Sequence, residues 1–201
     1  GSQPYTITPN TNYHVVGVLI DGSPIGPTNT YTFNNVTNGG HTISATFAQD
    51  TRILSIQSAN PASGVAVLAT VDIFAQGAGS TPFTREYNIG TPVTLTAPAN
   101  ASGNVFSEWR LNGALYTTNL TANVTANSND TLTALYAVPT CGIAVATAYG
   151  TPSPAGGTNL YAVGSTVTLS VAGSPITAGA TQFVCTGWTG TGNVPGAGAG
   201  T

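Results

Sequence analysis

Two segments of this chain each occur twice, and their positions divide the sequence into modules. Thr42-Ile-Ser-Ala-Thr-Phe-Ala48 returns as Thr131-Leu-Thr-Ala-Leu-Tyr-Ala137. Tyr87-Asn-Ile-Gly-Thr-Pro-Val-Thr-Leu-Thr96 returns as Tyr161-Ala-Val-Gly-Ser-Thr-Val-Thr-Leu-Ser170. Self-similarity at this spacing is typical of tandem arrays in which each module packs against its neighbours. The repeat therefore favours a structural or adhesive role over catalysis.

The two repeated segments predict three modules, at 1–48, 49–137 and 138–201. The central module is complete and carries an insertion at about 65–84, because the interval from Gly64 to Tyr87 is far longer than that from Gly157 to Tyr161. Module one lacks its opening strands, since 1–8 already resembles the strand at 93–96. Module three lacks its closing strand. Two explanations stay open: these are the edges of a segment within a longer array, or each open end is completed by a neighbouring subunit.

The local pattern predicts an all-β fold. Short stretches rich in β-branched residues, such as 13–20, 53–57, 93–97, 143–148 and 167–171, alternate apolar residues with Thr or Ser, as half-buried strands do. Asp21-Gly22 and Asn112-Gly113 are hairpin-turn pairs. No segment sustains a helical period. We expect tandem small modules of the β-sandwich or β-grasp type, with the outer modules incomplete.

The composition narrows the range of partners. Only 4% of the residues are charged, with three Arg, no Lys and a net charge of −3. Without a basic patch, nucleic acid is a poor partner, and no apolar stretch approaches the roughly 20 residues of a membrane helix. Hydrophobic residues make up 41% of the chain, which is enough for packed cores. Solubility carried by Thr, Ser, Asn and Gly indicates an extracellular or cell-surface location.

The two cysteines and five sequons suggest covalent modification. In a chain with this extracellular composition, we expect Cys141 and Cys185 to form a disulfide; the alternative is two thiols in a reducing compartment. Asn-x-Ser/Thr sequons are possible glycosylation sites, although a chain rich in Thr and Asn also produces them by chance. They begin at Asn35, Asn100, Asn119, Asn123 and Asn129.

The order of these motifs resembles a known family. Gly90-Thr-Pro-Val-Thr-Leu-Thr96, Phe106-Ser-Glu-Trp-Arg-Leu-Asn-Gly113 and Asn129-Asp-Thr-Leu-Thr-Ala-Leu-Tyr136 are similar to the divergent internalin-type B-repeat of bacterial surface and secreted proteins. Tyr13-His-Val-Val-Gly-Val-Leu-Ile-Asp-Gly22 is similar to a variant of it. In module three, Cys185-Thr-Gly-Trp188 departs from the pattern. The resemblance implies an extracellular stalk, spacer or adhesin segment, and it brings no catalytic motif.

Candidate chemistry is sparse. His14 and His41 lie in strand-like stretches, and the six carboxylates are scattered singly, so no nucleophile with its base can be assembled. Trp109 and Trp188 occupy the same place in two modules, where module one has Val18. That equivalence favours a core position, and a sugar-stacking platform is the alternative. We predict no catalytic, cofactor or metal site.

The sequence therefore predicts a structural segment of an extracellular bacterial filament, stalk or surface adhesin. It would associate with itself through its β modules, through strand complementation between subunits if the open ends are completed by neighbours. The expected partner is a second copy or a neighbouring repeat. The alternative function is a glycan-binding adhesive or accessory module, with surface glycans as partners, and buried tryptophans would argue against it.

Overall fold

In a computed structural model, which describes residues 1–37, 39–192 and 197–199, the chain is all-β, as the sequence predicts. No helix occurs within those ranges. The chain forms two compact units, Gly1–Ala137 and Val138–Thr201. Modules one and two lie in the first unit, and module three is the second unit.

Module one consists of two small antiparallel sheets. In one, β1 pairs with β4, and in the other the order is β3-β2-β5. The five strands are β1 (Gln3–Thr6), β2 (Tyr13–Ile20), β3 (Ser23–Gly26), β4 (Thr30–Phe33) and β5 (Ile43–Gln49).

Module two is a sandwich of a larger and a smaller sheet. The larger sheet has the order β11-β12-β15-β6-β9, with β13 beside β12, and the smaller has the order β14-β10-β7-β8. The first and last strands, β6 and β15, lie side by side in parallel, whereas the other pairs are antiparallel. The strands are β6 (Thr51–Ala59), β7 (Ala66–Ala69), β8 (Gly79–Ser80), β9 (Phe83–Asn88), β10 (Pro92–Thr96), β11 (Asn100–Ala101), β12 (Asn104–Leu111), β13 (Ala114–Thr117), β14 (Thr121–Thr125) and β15 (Asp130–Ala137).

In the described part of module three the strands form four pairs. β16 pairs with β18, β17 with β19, β20 with β21 and β22 with β23. The strands are β16 (Thr140–Val145), β17 (Thr151–Ser153), β18 (Gly157–Ala162), β19 (Ser170–Ala172), β20 (Ile176–Ala178), β21 (Thr181–Phe183), β22 (Gly187–Thr189) and β23 (Ala197–Ala199). The pair β17–β19 corresponds to β7–β10, so the predicted insertion at 65–84 reduces to the 70–78 loop and β8.

The repeat is visible in strand register as well as in sequence. Val18 faces Ala45 across β2–β5, as Trp109 faces Ala134 across β12–β15. In both pairs the register shifts by one residue just before this position, between Val15 and Gly17 and between Phe106 and Glu108. A bulge at a fixed place bends a strand in a fixed way. Modules one and two thus share the same edge geometry.

Equivalent side-chain hydrogen bonds join a hairpin turn to the start of β5 in module one and to the start of β15 in module two. Asp21 and Gly22, like Asn112 and Gly113, all have positive φ, the conformation that a tight two-residue hairpin turn requires. Asp21 Oδ1 accepts the N–H of Thr42 at 2.7 Å, and Asn112 Oδ1 accepts the N–H of Thr131 at 2.9 Å. The predicted turn pairs therefore also set where the last strand of each module begins.

The main core lies between the two sheets of module two. Trp109 is fully buried at its centre, and its indole N–H donates to the Leu120 carbonyl at 3.0 Å. Tyr87 and Tyr136 are also buried, and their hydroxyls donate to the carbonyls of Thr70 and Pro98. Each of these three side chains buries a large apolar surface, and its N–H or hydroxyl group still has a hydrogen-bond acceptor.

Module one has a much smaller core, formed by Val15, Val18, Ile20 and Phe33. Within residues 138–192 no side chain is fully buried. Burial is therefore greatest in module two and smaller in modules one and three.

Replacing Trp109 with Ala should lower the free energy of unfolding by about 3–5 kcal/mol, because it leaves a large cavity and an unpaired Leu120 carbonyl. Urea denaturation followed by circular dichroism measures this loss. Leu115→Ala, at an exposed position on the neighbouring strand β13, is the control and should change stability by less than about 0.5 kcal/mol. Equal effects of the two substitutions would contradict the assignment of Trp109 to the core.

Candidate assembly surface

The outer edge of β5 is the most unusual feature of module one. In module two the equivalent strand, β15, lies between β12 and β6 and is paired on both sides. In module one β5 pairs with β2 and, among the residues that the structure describes, has no second neighbour. An edge strand presents a row of backbone donors and acceptors that can pair with another strand.

The inward face of β5 is exposed where the same face of β15 is covered. Phe47 occupies the position of Tyr136, yet 46% of Phe47 is accessible to solvent and only 1% of Tyr136. Ala45 is half-buried, whereas its counterpart Ala134 is fully buried. In module two this face lies in the core between the two sheets, and Leu54 and Ile56 of the parallel strand β6 lie beside it. Among the described residues of module one, β5 has the same face but no such strand beside it.

The strand equivalent to β6 in module three is β16, and its register establishes the correspondence. Thr51 and Arg52 of β6 face Asn88 and Tyr87, and Thr140 and Cys141 of β16 face Ala162 and Tyr161. Counting along the strands makes Ile143 the counterpart of Leu54, and Val145 the counterpart of Ile56. Both residues of β16 are half-buried, whereas Leu54 and Ile56 are fully buried. Within the described residues β16 pairs only with β18, so its other edge is open.

A compact junction fixes β5 to module two. The Asp50 N–H donates to the Asn12 carbonyl at 2.7 Å, and the Ile89 N–H donates to the Asp50 carbonyl at 2.9 Å. Nδ1 of His14 lies 2.8 Å from Oδ1 of Asp50. His14 therefore has a structural partner at the boundary between two modules. The direction in which β5 leaves module one is defined by these contacts.

At the opposite end of β5, Asp21 binds two groups. One carboxylate oxygen lies 2.8 Å from Nδ1 of His41, and the other accepts the N–H of Thr42. The hydrogen bond from His41, followed by that from Thr42, lowers the pKa of Asp21 below its ordinary value of 3.8. Since the folded-state pKa is depressed, the ionised carboxylate stabilises this turn above pH 4, and that contribution is lost as the pH falls through the lower folded pKa.

Substituting His41 with Ala should move the pKa of Asp21 upward toward 3.8, because the largest stabilising contact of the carboxylate is lost. Carboxyl carbon chemical shifts recorded across an acid titration by NMR report this pKa. His14→Ala is the matched control, since His14 contacts Asp50 instead. If the two variants leave the titration of Asp21 equally unchanged, the described contact does not set its pKa.

The 70–78 loop is held by polar contacts beneath an apolar tip. Asp72 Oδ1 accepts the N–H groups of Phe74 and Gln76, both at 2.9 Å. Burial acts to raise the pKa of Asp72, but the hydrogen bonds from Gln76, Phe74 and Glu86 and the charge of Arg85 together lower it. Arg85 donates to the carbonyls of Gly77 and Ala78, both at 2.8 Å.

Tyr87 supports the base of the same loop. Its hydroxyl donates to the Thr70 carbonyl at 2.6 Å, and burial together with the charge of Asp72 raises the pKa of Tyr87 to about 12. The loop then exposes Val71, Ile73 and Phe74 to solvent. This ordered apolar surface was not predicted from the sequence.

The predicted disulfide between Cys141 and Cys185 is wrong, because both residues are free thiols. Cys141 is exposed on β16, opposite Tyr161. Cys185 lies between β21 and β22, where its thiol donates to the Gly187 carbonyl at 3.8 Å. Cys141 lies in the β16–β18 pair, whereas Cys185 lies in the segment between β21 and β22. The two thiols therefore have different surroundings.

The five sequon asparagines are all exposed, but two of them already have hydrogen-bond partners. Asn123 accepts the hydroxyl of Thr94 at 2.8 Å, and Asn129 accepts the N–H of Ile53 at 2.9 Å. Asn35, Asn100 and Asn119 are exposed as well. Glycosylation of the chain stays a prediction.

The two tryptophans differ in burial. Trp109 is inaccessible and offers no ring face to a sugar, whereas Trp188 on β22 is half-buried. A glycan platform that uses both residues is therefore not present. This outcome weakens the glycan-binding alternative.

The residues considered for chemistry do not converge. In the described part of the chain no group of three or more His, Cys, Asp or Glu side chains could hold a metal ion. His14 and His41 contact different carboxylates, those of Asp50 and Asp21. None of the described segments is a helix long and apolar enough to cross a membrane.

Sequence reasoning did not identify the exposed Phe47 or the half-buried Ile143 and Val145 as residues of the open strand edges. A signal for them was present. Aligning Phe47 with Tyr136 and Ile143 with Leu54 shows that positions buried in module two also carry apolar residues in modules one and three.

No family model matches the chain, and the comparisons with curated proteins and with solved structures found no match.

Proposed function

We propose that the chain is a structural segment of an extracellular bacterial filament, stalk or surface adhesin, and that it associates with itself through its β modules. Two copies would be connected when a strand of one copy pairs with the open strand edge of the other. One observation carries the proposal. Phe47 is exposed on a face that is buried at the equivalent residue, Tyr136, of the complete module.

The physical basis is the combination of an unpaired strand edge with an uncovered apolar face. Adding a strand would satisfy the backbone groups of β5 and at the same time bury Phe47, Ala45 and Ile43. Strand addition to an exposed edge gains affinity from main-chain hydrogen bonds and specificity from alternate side chains. Module two shows that this repeat accommodates such a strand, because β6 occupies the corresponding place.

The distribution of charge supports association that does not depend on ion pairs. All nine residues of the Lys, Arg, Asp and Glu types lie between Asp21 and Asp130, so module three has none. Joining this uncharged module to the edge of β5 forms no ion pair between subunits.

Because no ion pairs join the subunits, assembly should respond little to ionic strength. Raising NaCl from about 0.05 to 1 M changes the Debye length from more than 10 Å to about 3 Å, and we expect the critical concentration for assembly to change less than about twofold. Light scattering across a dilution series measures it. A tenfold rise in the critical concentration would indicate that charges hold the subunits together.

The decisive variant is Phe47→Lys. In the isolated subunit this side chain is largely exposed, so the substitution should change stability by less than about 1 kcal/mol. In an assembled subunit the same position would be buried, and an unpaired ammonium there is strongly unfavourable. We expect loss of assembly, seen by negative-stain electron microscopy and sedimentation, with the subunit still folded.

Leu68→Lys is the matched control, because it places the same charge at an exposed apolar position away from the edge of β5. This variant should assemble normally. Wild-type protein that remains monomeric at high concentration, or Phe47→Lys protein that assembles as well as Leu68→Lys protein, would overturn the proposed function.

A further inference from the structure

We propose that the strand that completes module one is β16 of a second copy, which adds to the open edge of β5 in parallel, in the register that β6 adopts on β15. The inference rests on the proposed function and specifies it. It names the two elements that meet, their direction and the residues that face one another.

The register follows from module two. There Asp130 faces Leu54, Leu132 faces Ile56 and Ala134 faces Ser58. Replacing each residue by its counterpart in the outer modules predicts that His41 faces Ile143, Ile43 faces Val145 and Ala45 faces Thr147. Ile143 and Val145 would then lie beside β5 on the inward side of the sheet, as Leu54 and Ile56 lie beside β15.

This arrangement keeps the existing pairs within the sheet intact. β5 retains β2 on its paired edge, and β16 retains β18. The composite sheet has the order β3-β2-β5-β16-β18, with the last two strands from the second copy. It reproduces the order β13-β12-β15-β6-β9 of module two. Two half-exposed apolar faces become one covered face, and two open edges become one ladder.

The interface is head-to-tail, because β5 and β16 are different surfaces of the same chain. A heterologous contact of this kind leaves β5 of one copy and β16 of the other free, and repetition extends the assembly as an open filament unless it closes into a ring. The composition fits, since β16 and β18 contain no charged residue.

Two variants, each of which loses one of the two contact surfaces, test whether β5 of one copy binds β16 of another. Ile43→Lys blocks the β5 surface, because Ile43 faces Val145 in this register, and leaves β16 intact, whereas Ile143→Lys blocks β16 and leaves β5 intact. Each variant alone should be monomeric, and an equimolar mixture should form a dimer with one copy of each and nothing larger. Sedimentation velocity measures this. Failure of the mixture to form dimers would overturn a β5–β16 contact.

Register is tested by a cysteine pair on the outward side of the two strands. In a Cys141→Ser, Cys185→Ser background, Thr42→Cys and Ala144→Cys would face one another across the interface, since they correspond to Thr131 and Ser55. Oxidation of the assembled protein should yield a covalent ladder of dimers and higher oligomers on a denaturing gel. Shifting one cysteine to Ala146 should reduce the cross-linked fraction several-fold.

Thr131→Cys with Ser55→Cys in the same background is the control for geometry, because these residues are a facing pair within module two. It should form an intramolecular disulfide in every subunit. Filaments whose Thr42–Ala144 pair does not cross-link, while the control pair does, would overturn the inference and leave the proposed function standing. A cross-link confined to single chains would overturn it as well, and absence of any assembly would overturn both.

Discussion

The parallel pairing of β6 with β15 is the interaction on which module two depends. It joins the first strand of the module to the last, so the segments between them are enclosed within one fold. It also places Leu54 and Ile56 beside β15 on the core side of the sheet, the side to which Tyr136 belongs, and all three side chains are buried. In module one, where β5 has no such neighbour among the described residues, Phe47 at the position of Tyr136 is exposed.

The difference between the modules therefore has one physical origin. Modules one and two share a hairpin turn, a bulge and a register, so their backbones present equivalent edges. What module one lacks is a neighbour for β5, and what β16 lacks is a neighbour on its second edge. The proposed structural role rests on matching these two edges.

The all-β fold and the two hairpin turns could be predicted because local residue patterns determine them. Alternation predicts β2 over Tyr13–Ile20, and Asp21-Gly22 and Asn112-Gly113 adopt the positive φ that their turns require. Which strands lie side by side depends on contacts distant in sequence, so the β6–β15 pairing could not be predicted. The segment 167–171 was expected to be a strand, but only Ser170–Ala172 pairs. The disulfide was inferred from composition, which does not report how far apart two cysteines lie.

The most direct test is amide hydrogen exchange, measured by mass spectrometry, on assembled and dissociated protein. β15 provides an internal reference in every sample, because it is paired on both sides within its own module. The account predicts that amides of β5 exchange much faster than those of β15 in the dissociated subunit and become comparably protected in the assembly. Assembled protein in which β5 exchanges as fast as in the free subunit would contradict it.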